Sequence, residues 1–335
     1  MDVNQPPARM RILIIRFGST GDILLTTPLI RAISQQIDGA EIHYLVHQKH
    51  QDAIIGNSYI RKIHVFKGSG SNIMDELQSE NFDYVLDLQH NRRSKNICRQ
   101  LGVPCSFVKR YPFRKWVFLR LKLNTLPYQH VVDRYFNAAE ALGIHKDDQG
   151  LEYHIPADGD FDTDSLPVFF EDGYVAIIID AAHATQRIPT NKIVEIATIL
   201  HKPVALIGGK NVDSIGQEIE AQLGDRAFNT CGKLSFSQTA SLLSQSSCVI
   251  TGDTDLMHLA VALHKPVCTL WGSTVPEFGY YPYMPGERSM FRMFEICSLK
   301  CRPCAKTGFK KCPRRHFRCM NKISAVEVAE WINQF

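Results

Sequence analysis

The pentapeptide Gly18-Ser19-Thr20-Gly21-Asp22 follows the apolar run Arg11 to Phe17 and precedes a stretch of helical period. Glycine admits close backbone approach, and the free N–H groups at a helix start attract an anion. Ser19, Thr20 and Gly21 are therefore a candidate phosphate or acceptor loop. Asp22 reads either as the helix N-cap or as a general base, since a carboxylate at a strand end is placed to take a proton from a hydroxyl. The spacing is not G-x-G-x-x-G, so a nicotinamide-dinucleotide site loses its main support.

A second group, Asp253-Thr254-Asp255-Leu256-Met257-His258, again lies between a strand and a helix. Asp253 or Thr254 can cap that helix, and His258 falls in its first turn, where a ligand at a strand end would meet it. Gly208-Gly209 and Trp271-Gly272-Ser273-Thr274-Val275-Pro276 are further loops of the same kind. Lys109 to Lys122 holds six basic residues and no acidic one, with Tyr111, Phe113, Trp116 and Phe118 among them. As an amphipathic basic-aromatic segment it suits an anionic membrane surface or a phosphorylated lipid acceptor through Lys109, Arg110, Arg114, Lys115 and Trp116. The plainer reading is a half-buried helix with a solvated basic edge. Cys301, Cys304, Cys312 and Cys319 contain one zinc-like C-x2-C pair and then irregular spacing, and no metal is assigned to them.

These loops need elements to carry them. Strand-like runs at Arg11–Phe17, Glu41–Val46, Lys62–Phe66 and Tyr84–Leu88 alternate with helical patterns at Ile73–Ser79 and Val131–Leu142, the last ending at Gly143. The helix after Asp22 places Leu25, Leu29 and Ile33 on one face, with Pro28 in its first turns. A polar stretch with Asp158, Asp160, Asp162 and Asp164 reads as a linker over 158–172. A second half repeats the pattern: strand Tyr174–Asp180, helix Lys192–Leu200, strand Val204–Ile207, helix Val212–Leu223, strand Cys248–Thr251, helix Leu256–Leu263 and strand Val267–Trp271. Such alternation predicts an α/β chain of two Rossmann-like domains facing each other across a cleft, over 1–157 and 173–323, with a Cys-rich basic segment at 297–320. A C-terminal helix at 324–335 is placed as one that can return to the N-terminal domain.

Composition agrees: 335 residues, 44% apolar and 21% charged, exclude disorder, a fibre and a coiled coil. The N-terminus lacks the pattern of a secretory leader, so a cytoplasmic protein is expected. Eleven Lys or Arg against one Glu between Arg288 and Lys322 make a local +10 in a chain of +4 overall. The basicity is thus a patch and not a property of the whole surface.

RILIIRFGSTGDILLTTPLIRAI and GDTDLMHLAVALHKPVCTLWGSTVPEFGYYPY resemble glycosyltransferase family 9, the heptosyltransferases of lipopolysaccharide core synthesis. FDYVLDLQHNRRS, HVVDRYFNAAEALGI, VALIGGKNVD and CRPCAKTGFKKCPRRHFRCM follow the family's order over nearly the full length. The resemblance implies a GT-B fold and inverting transfer, without metal or cofactor, from a nucleotide-diphosphate donor such as ADP-heptose. It places the base at Asp22 and donor contacts at Asp253, Thr254 and His258. The family's basic residue before Trp-Pro falls near Gln186 and Arg187, with Arg187 preferred, because Ile188-Pro189 stands in that place. Asp255 replaces the motif glycine, and Asp213 stands where many members carry a ribose-holding glutamate. The partners implied are an ADP-heptose-like donor, an anionic lipid-linked saccharide acceptor and the inner face of the cytoplasmic membrane, with no nucleic acid. Two other functions fit part of the pattern: a sugar-nucleotide epimerase of the same fold, and a nucleic-acid-binding protein using the basic Cys-rich segment.

Overall fold

The computed structural model describes residues 9–68, 73–162 and 166–335. Asp164, and most of the N-terminal stretch read above as leaderless, lie outside the described residues. The chain forms two compact units: residues up to Arg110 with Gln129–His154, and Tyr111–Tyr128 with Ile155–Phe335.

The first unit runs β1 (Met10–Ile15), α1 (Thr20–Leu24), α2 (Thr27–Gln36), β2 (Ala40–His47), β3 (Ile60–Phe66), α3 (Ile73–Ser79), β4 (Tyr84–Asp87), α4 (Arg92–Leu101) and β5 (Cys105–Phe107). Its sheet has the order β3-β2-β1-β4-β5, with every pair parallel. A parallel sheet is covered on both faces, which is why β1 reads as the nearly unbroken apolar run MRILII. The single helix expected after Asp22 is two. The chain turns at Leu25 and Thr26, and Pro28 lies in the first turn of α2, where it lacks no needed donor.

Next comes α5 (Pro112–Leu121), which belongs to the second unit, and then the first unit resumes with α6 (Val131–Ala138). The expected helix Val131–Leu142 loses its last turn to a 3-10 turn, and Gly143 closes it at φ +69°. Buried Arg31 of α2 clasps Asp147 and Glu152 at 2.6 and 2.7 Å and fastens this closing segment.

The second unit continues with β6 (Val175–Ile178), α7 (Thr190–Ile199), β7 (Val204–Ile207), α8 (Asp213–Leu223), β8 (Ala227–Asn229), α9 (Phe236–Gln245) and β9 (Cys248–Thr251). It ends with α10 (Asp255–Ala262), β10 (Val267–Trp271), β11 (Phe291–Glu295), α11 (Arg318–Asn321) and α12 (Ala325–Ile332). The order β11-β10-β9-β6-β7-β8 is again wholly parallel. Two expectations need correction. The described start of the stretch read as a linker packs on α9: Phe161 N donates to Ser241 Oγ at 3.0 Å, and Gly159 lies so close to Ser237 that a Cβ would meet it at 2.5 Å. The C-terminal helix stays on the second unit, because Val328, Ala329 and Ile332 of α12 enter the same apolar core as Ile193 and Ile196 of α7.

Candidate active site

In each sheet the strand order reverses direction once, between β1 and β4 and between β6 and β9. Loops leaving such a pair go to opposite faces, and the crevice between them is where open α/β sheets bind ligands. Ser19 to Asp22 lie at the first of these points and Arg187 and Asp253 to His258 at the second, while Gly208, Gly209 and Asp213 follow β7 and the Gly272–Pro276 loop follows β10.

In the first unit, α1 starts directly after the loop, with Ser19 at its N-cap and Asp22 at its third position. Asp22 is therefore not the N-cap; its Oδ2 accepts from Ser19 N at 3.3 Å and pairs with Arg16. Arg16 is buried and also donates to Leu88 O at 2.6 Å, across the β1–β4 crevice. The other oxygen, Asp22 Oδ1, is buried without a hydrogen-bond partner among the described residues. One oxygen is held by a cation and a backbone N–H, while its twin has neither. Two neighbours went unread. Gln89 Oε1, from the loop after β4, accepts from Phe17 N at 3.1 Å. His50 Nδ1 lies 3.0 Å from Thr20 Oγ1, its ring pressed on Gly18, whose φ is +145°; a Cβ there would stand 2.4 Å from His50 Cδ2. Burial holds the His50 imidazole towards its neutral form.

In the second unit, Gln186 Nε2 donates to Asp253 Oδ2 at 2.9 Å, joining the loops after β6 and β9 across their crevice. Gly252 makes that approach possible, because a Cβ would stand 2.1 Å from Gln186 O. Burial pushes the Asp253 carboxyl above its usual range. Thr254 is the N-cap of α10, Asp255 occupies its first turn, and His258 is 4% exposed one turn further on.

Arg187 does not stand free for a phosphate. It pairs with Asp180 Oδ1 at 2.8 Å and donates through Nε to Ala181 O. Asp180 also accepts from Gly209 N at 3.3 Å and Asn211 Nδ2 at 3.1 Å, joining the loops after β6 and β7 beside Gly208 and Gly209. It was passed over as the last residue of a strand; the legible signal was a carboxylate directly after an apolar run. Asp213, the ribose candidate, is engaged by Asn229 Nδ2 at 2.8 Å and Gln217 Nε2 at 2.9 Å.

The basic-aromatic segment divides at Arg110. Lys109 and Arg110 belong to the first unit, where Arg110 donates to Gln89 O; Arg114, Lys115 and Trp116 are on α5 in the second. That helix is not amphipathic. Its apolar and basic side chains are spread around the axis and only Phe118 is buried, against Val275 and Phe278. Lys115 Nζ lies over the rings of Phe278 and Tyr280, while Phe113 and Trp116 stack on each other at the surface, 72% and 52% exposed.

The Cys-rich segment is fastened to the strand-end loops. Buried Arg302 donates to Gly272 O at 2.7 Å, Thr274 O at 3.0 Å and Ile296 O at 3.1 Å, and pairs with Glu295. Cys304 N donates to Ser273 O, and Cys301 Sγ lies 4.0 Å from His316 Nε2. All ten cysteines are free thiols, and burial pushes Cys304 up to about 12 and Cys319 up to about 11.

The profile of glycosyltransferase family 9 (heptosyltransferase) matches residues 71–318. The chain belongs to glycosyltransferase family 9. Among curated members of this family, lipooligosaccharide heptosyltransferase 2 of Haemophilus influenzae is 32% identical over 109 residues, 31% of each chain. Lipopolysaccharide heptosyltransferase 1 of Escherichia coli K12 is 25% identical over 80% of this chain and 89% of its own. The solved E. coli ADP-heptose lps heptosyltransferase II superposes with TM-score 0.73 at 18% identity, covering 97% of this chain and 98% of the other. At that identity the likeness is one of fold, and it is the GT-B fold of family 9. Membership makes the chain a glycosyltransferase. No helix among the described residues is long and apolar enough to cross a membrane.

Proposed function

We propose that this family 9 enzyme transfers a heptose from ADP-heptose, with inversion, to the lipopolysaccharide core or a related lipid-linked saccharide. The observation that carries the reading is Asp22, held through one oxygen by Arg16 and Ser19 N with its second oxygen unpartnered. The acceptor hydroxyl attacks the anomeric carbon, the bond to the nucleotide diphosphate breaks, and Asp22 Oδ1 takes the hydroxyl proton. The segments after β7 and β9 supply the donor seat: Gly208, Gly209, Asp213, Asp253, Thr254, Asp255 and His258 line it. Arg187 meets the departing phosphates by exchanging Asp180 for them. The relatives named for heptose transfer support this choice of sugar.

A thermal-shift series with ADP-, UDP-, GDP- and CDP-sugars tests the donor, because a ligand that binds only the folded state raises its apparent stability. ADP-sugars are expected to shift the midpoint furthest. Equal shifts with all four, or none, would refute the donor assignment.

Asp255 gives a sharper check. Its carboxylate at the first position of α10 stands where a diphosphate would meet the helix N-terminus. A carboxylate there opposes the negative charge of a diphosphate, so Asp255→Gly is expected to leave ADP-sugar affinity unchanged or to raise it. A loss of tenfold or more in calorimetric titration would instead make Asp255 a positive contact to the donor.

We also propose that the surface around α5 meets the anionic acceptor or the membrane that holds it, at the inner face of the cytoplasmic membrane. Exposed Phe113 and Trp116 among basic residues support this. Arg110 and Lys115 already have partners in the fold, so only part of the charge is available. Changing Lys109, Arg110, Arg114 and Lys115 together to Ser is expected to weaken binding to anionic vesicles by on the order of 2 kcal/mol, about 30-fold. Unchanged co-sedimentation would leave the segment a solvated face.

A further inference from the structure

On the α3 face of the first sheet, two fully buried histidines interrupt an otherwise apolar layer. His43 of β2 and His64 of β3 lie beside Leu13, Leu45, Leu77 and Phe82, where an aliphatic side chain would pack without needing polar partners. His43 Nδ1 is 2.9 Å from His64 Nε2, and Glu80, just past α3, brings Oε2 to 4.0 Å from His43 Nδ1. The three donor atoms lie within 4.8 Å of one another. Glu80 Oε1 is taken by Lys62, so the two oxygens of that carboxylate are divided between the lysine and the histidines.

We propose that His43, His64 and Glu80 form a binding site for a divalent transition-metal ion such as Zn2+, tying β2 and β3 to the end of α3. Donors around a tetrahedral zinc, with bonds near 2.0 to 2.1 Å, stand about 3.4 Å apart. The observed 2.9 and 4.0 Å bracket that value, so modest side-chain shifts complete the site. An outer partner is present too. Glu76 Oε1 lies 2.6 Å from His64 Nδ1; a carboxylate only accepts, so Nδ1 carries the hydrogen and Nε2 offers its lone pair inward. The ion takes the place of the hydrogen that His43 Nδ1 now donates to His64 Nε2, and that proton moves to His43 Nε2, leaving a neutral imidazole to ligate. Entry is provided by a solvent-open cavity of about 370 Å3 bordered by Glu41, His43, Lys62 and Glu80. Arg9 and Arg11, also at its rim, are paired with Glu41 at 3.1 and 3.2 Å, which reduces their repulsion of a cation. Glu80 lies at the amino end of β1, where Arg11 donates to its carbonyl at 2.8 Å, while His43 stands beside Leu13 at mid-strand and His64 lies further along, level with Leu45. None of the three belongs to the loop that carries Asp22.

The test is titration of chelator-treated, full-length protein with Co2+. The Cys301–Cys319 region offers thiolates that compete, and cobalt tells the sites apart: sulfur ligation gives an intense near-ultraviolet charge-transfer band, nitrogen and oxygen ligation only weak visible bands. One equivalent with nitrogen–oxygen character is expected, with a rise in melting temperature. Glu80→Gln should weaken it at least tenfold, and Glu76→Gln about 10- to 100-fold. His43→Gln should abolish it, and if that variant does not fold, the half-buried Glu80 still reads out the site. No equivalent of this character, or one unchanged in Glu80→Gln, would overturn the site and leave the histidines as a hydrogen-bonded pair.

Discussion

Asp22→Asn lowers turnover by roughly 10²- to 10⁴-fold while donor affinity stays near that of the parent enzyme, the scale set by loss of one acid–base group. The substitution keeps shape, and its amide oxygen can still accept from Ser19 N and Arg16. What it removes is the charge and the basic oxygen that now stands unpartnered. Steady-state kinetics with donor and acceptor both supplied give the check. A fall in kcat with constant donor binding assigns the proton to Asp22. Wild-type turnover in the variant would dismiss it as base and reduce its pairing with Arg16 to a fold-holding contact.

Arg302→Ala should destabilise the second unit by about 3 to 5 kcal/mol, because it strips three carbonyls of their donor, at about 1 to 3 kcal/mol for each left unsatisfied, and removes the cation facing half-buried Glu295. The side chain is 3% exposed and reaches Gly272, Thr274, Ile296 and Glu295 at once. For a unit of this size the midpoint of thermal unfolding would fall by roughly 6 to 20 °C. Arg302→Lys should recover only a fraction, since an ammonium lacks the planar fork that spans several acceptors. A midpoint within error of the parent would mean that the Cys-rich segment is a loosely held arm, the arrangement a nucleic-acid-binding function would need. The buried guanidinium already shows that part of the local +10 is internal structure and not available to a polyanion.

Much of this was legible in the chain itself. The bounds of α3, β7, β9 and β10 fall where apolar runs and periodicity place them, because short parallel strands and capped helices are written in neighbouring residues. The loops after β1, β7, β9 and β10 were legible for the same reason, and the order of motifs pointed to family 9, which the profile match established. Elements without such a local signature went unread. β5 and β8 have three residues each, and α9 is so rich in Ser and Gln that it passes for loop, although Ser235 and Gln238 form a capping box at its start.

Which residues meet was decided only in three dimensions. The order in which parallel strands pair is a competition among distant segments that no local pattern records. That order puts the loops after β6 and β9 side by side, so that Gln186 bonds Asp253 while its neighbour Arg187 turns to Asp180. The Arg16–Asp22 pair is local to the β1 loop, and the strand order adds Leu88 O as the second acceptor that fixes Arg16. The same packing attached α5 to the second unit and kept α12 there as well. Sequence by itself determined the fold class, the family and the loops that carry chemistry, because these rest on short-range periodicity and ordered motifs. Tertiary structure decided the partner of each charged group, because pairing a buried charge depends on what distant chain segments bring within 3 Å of it.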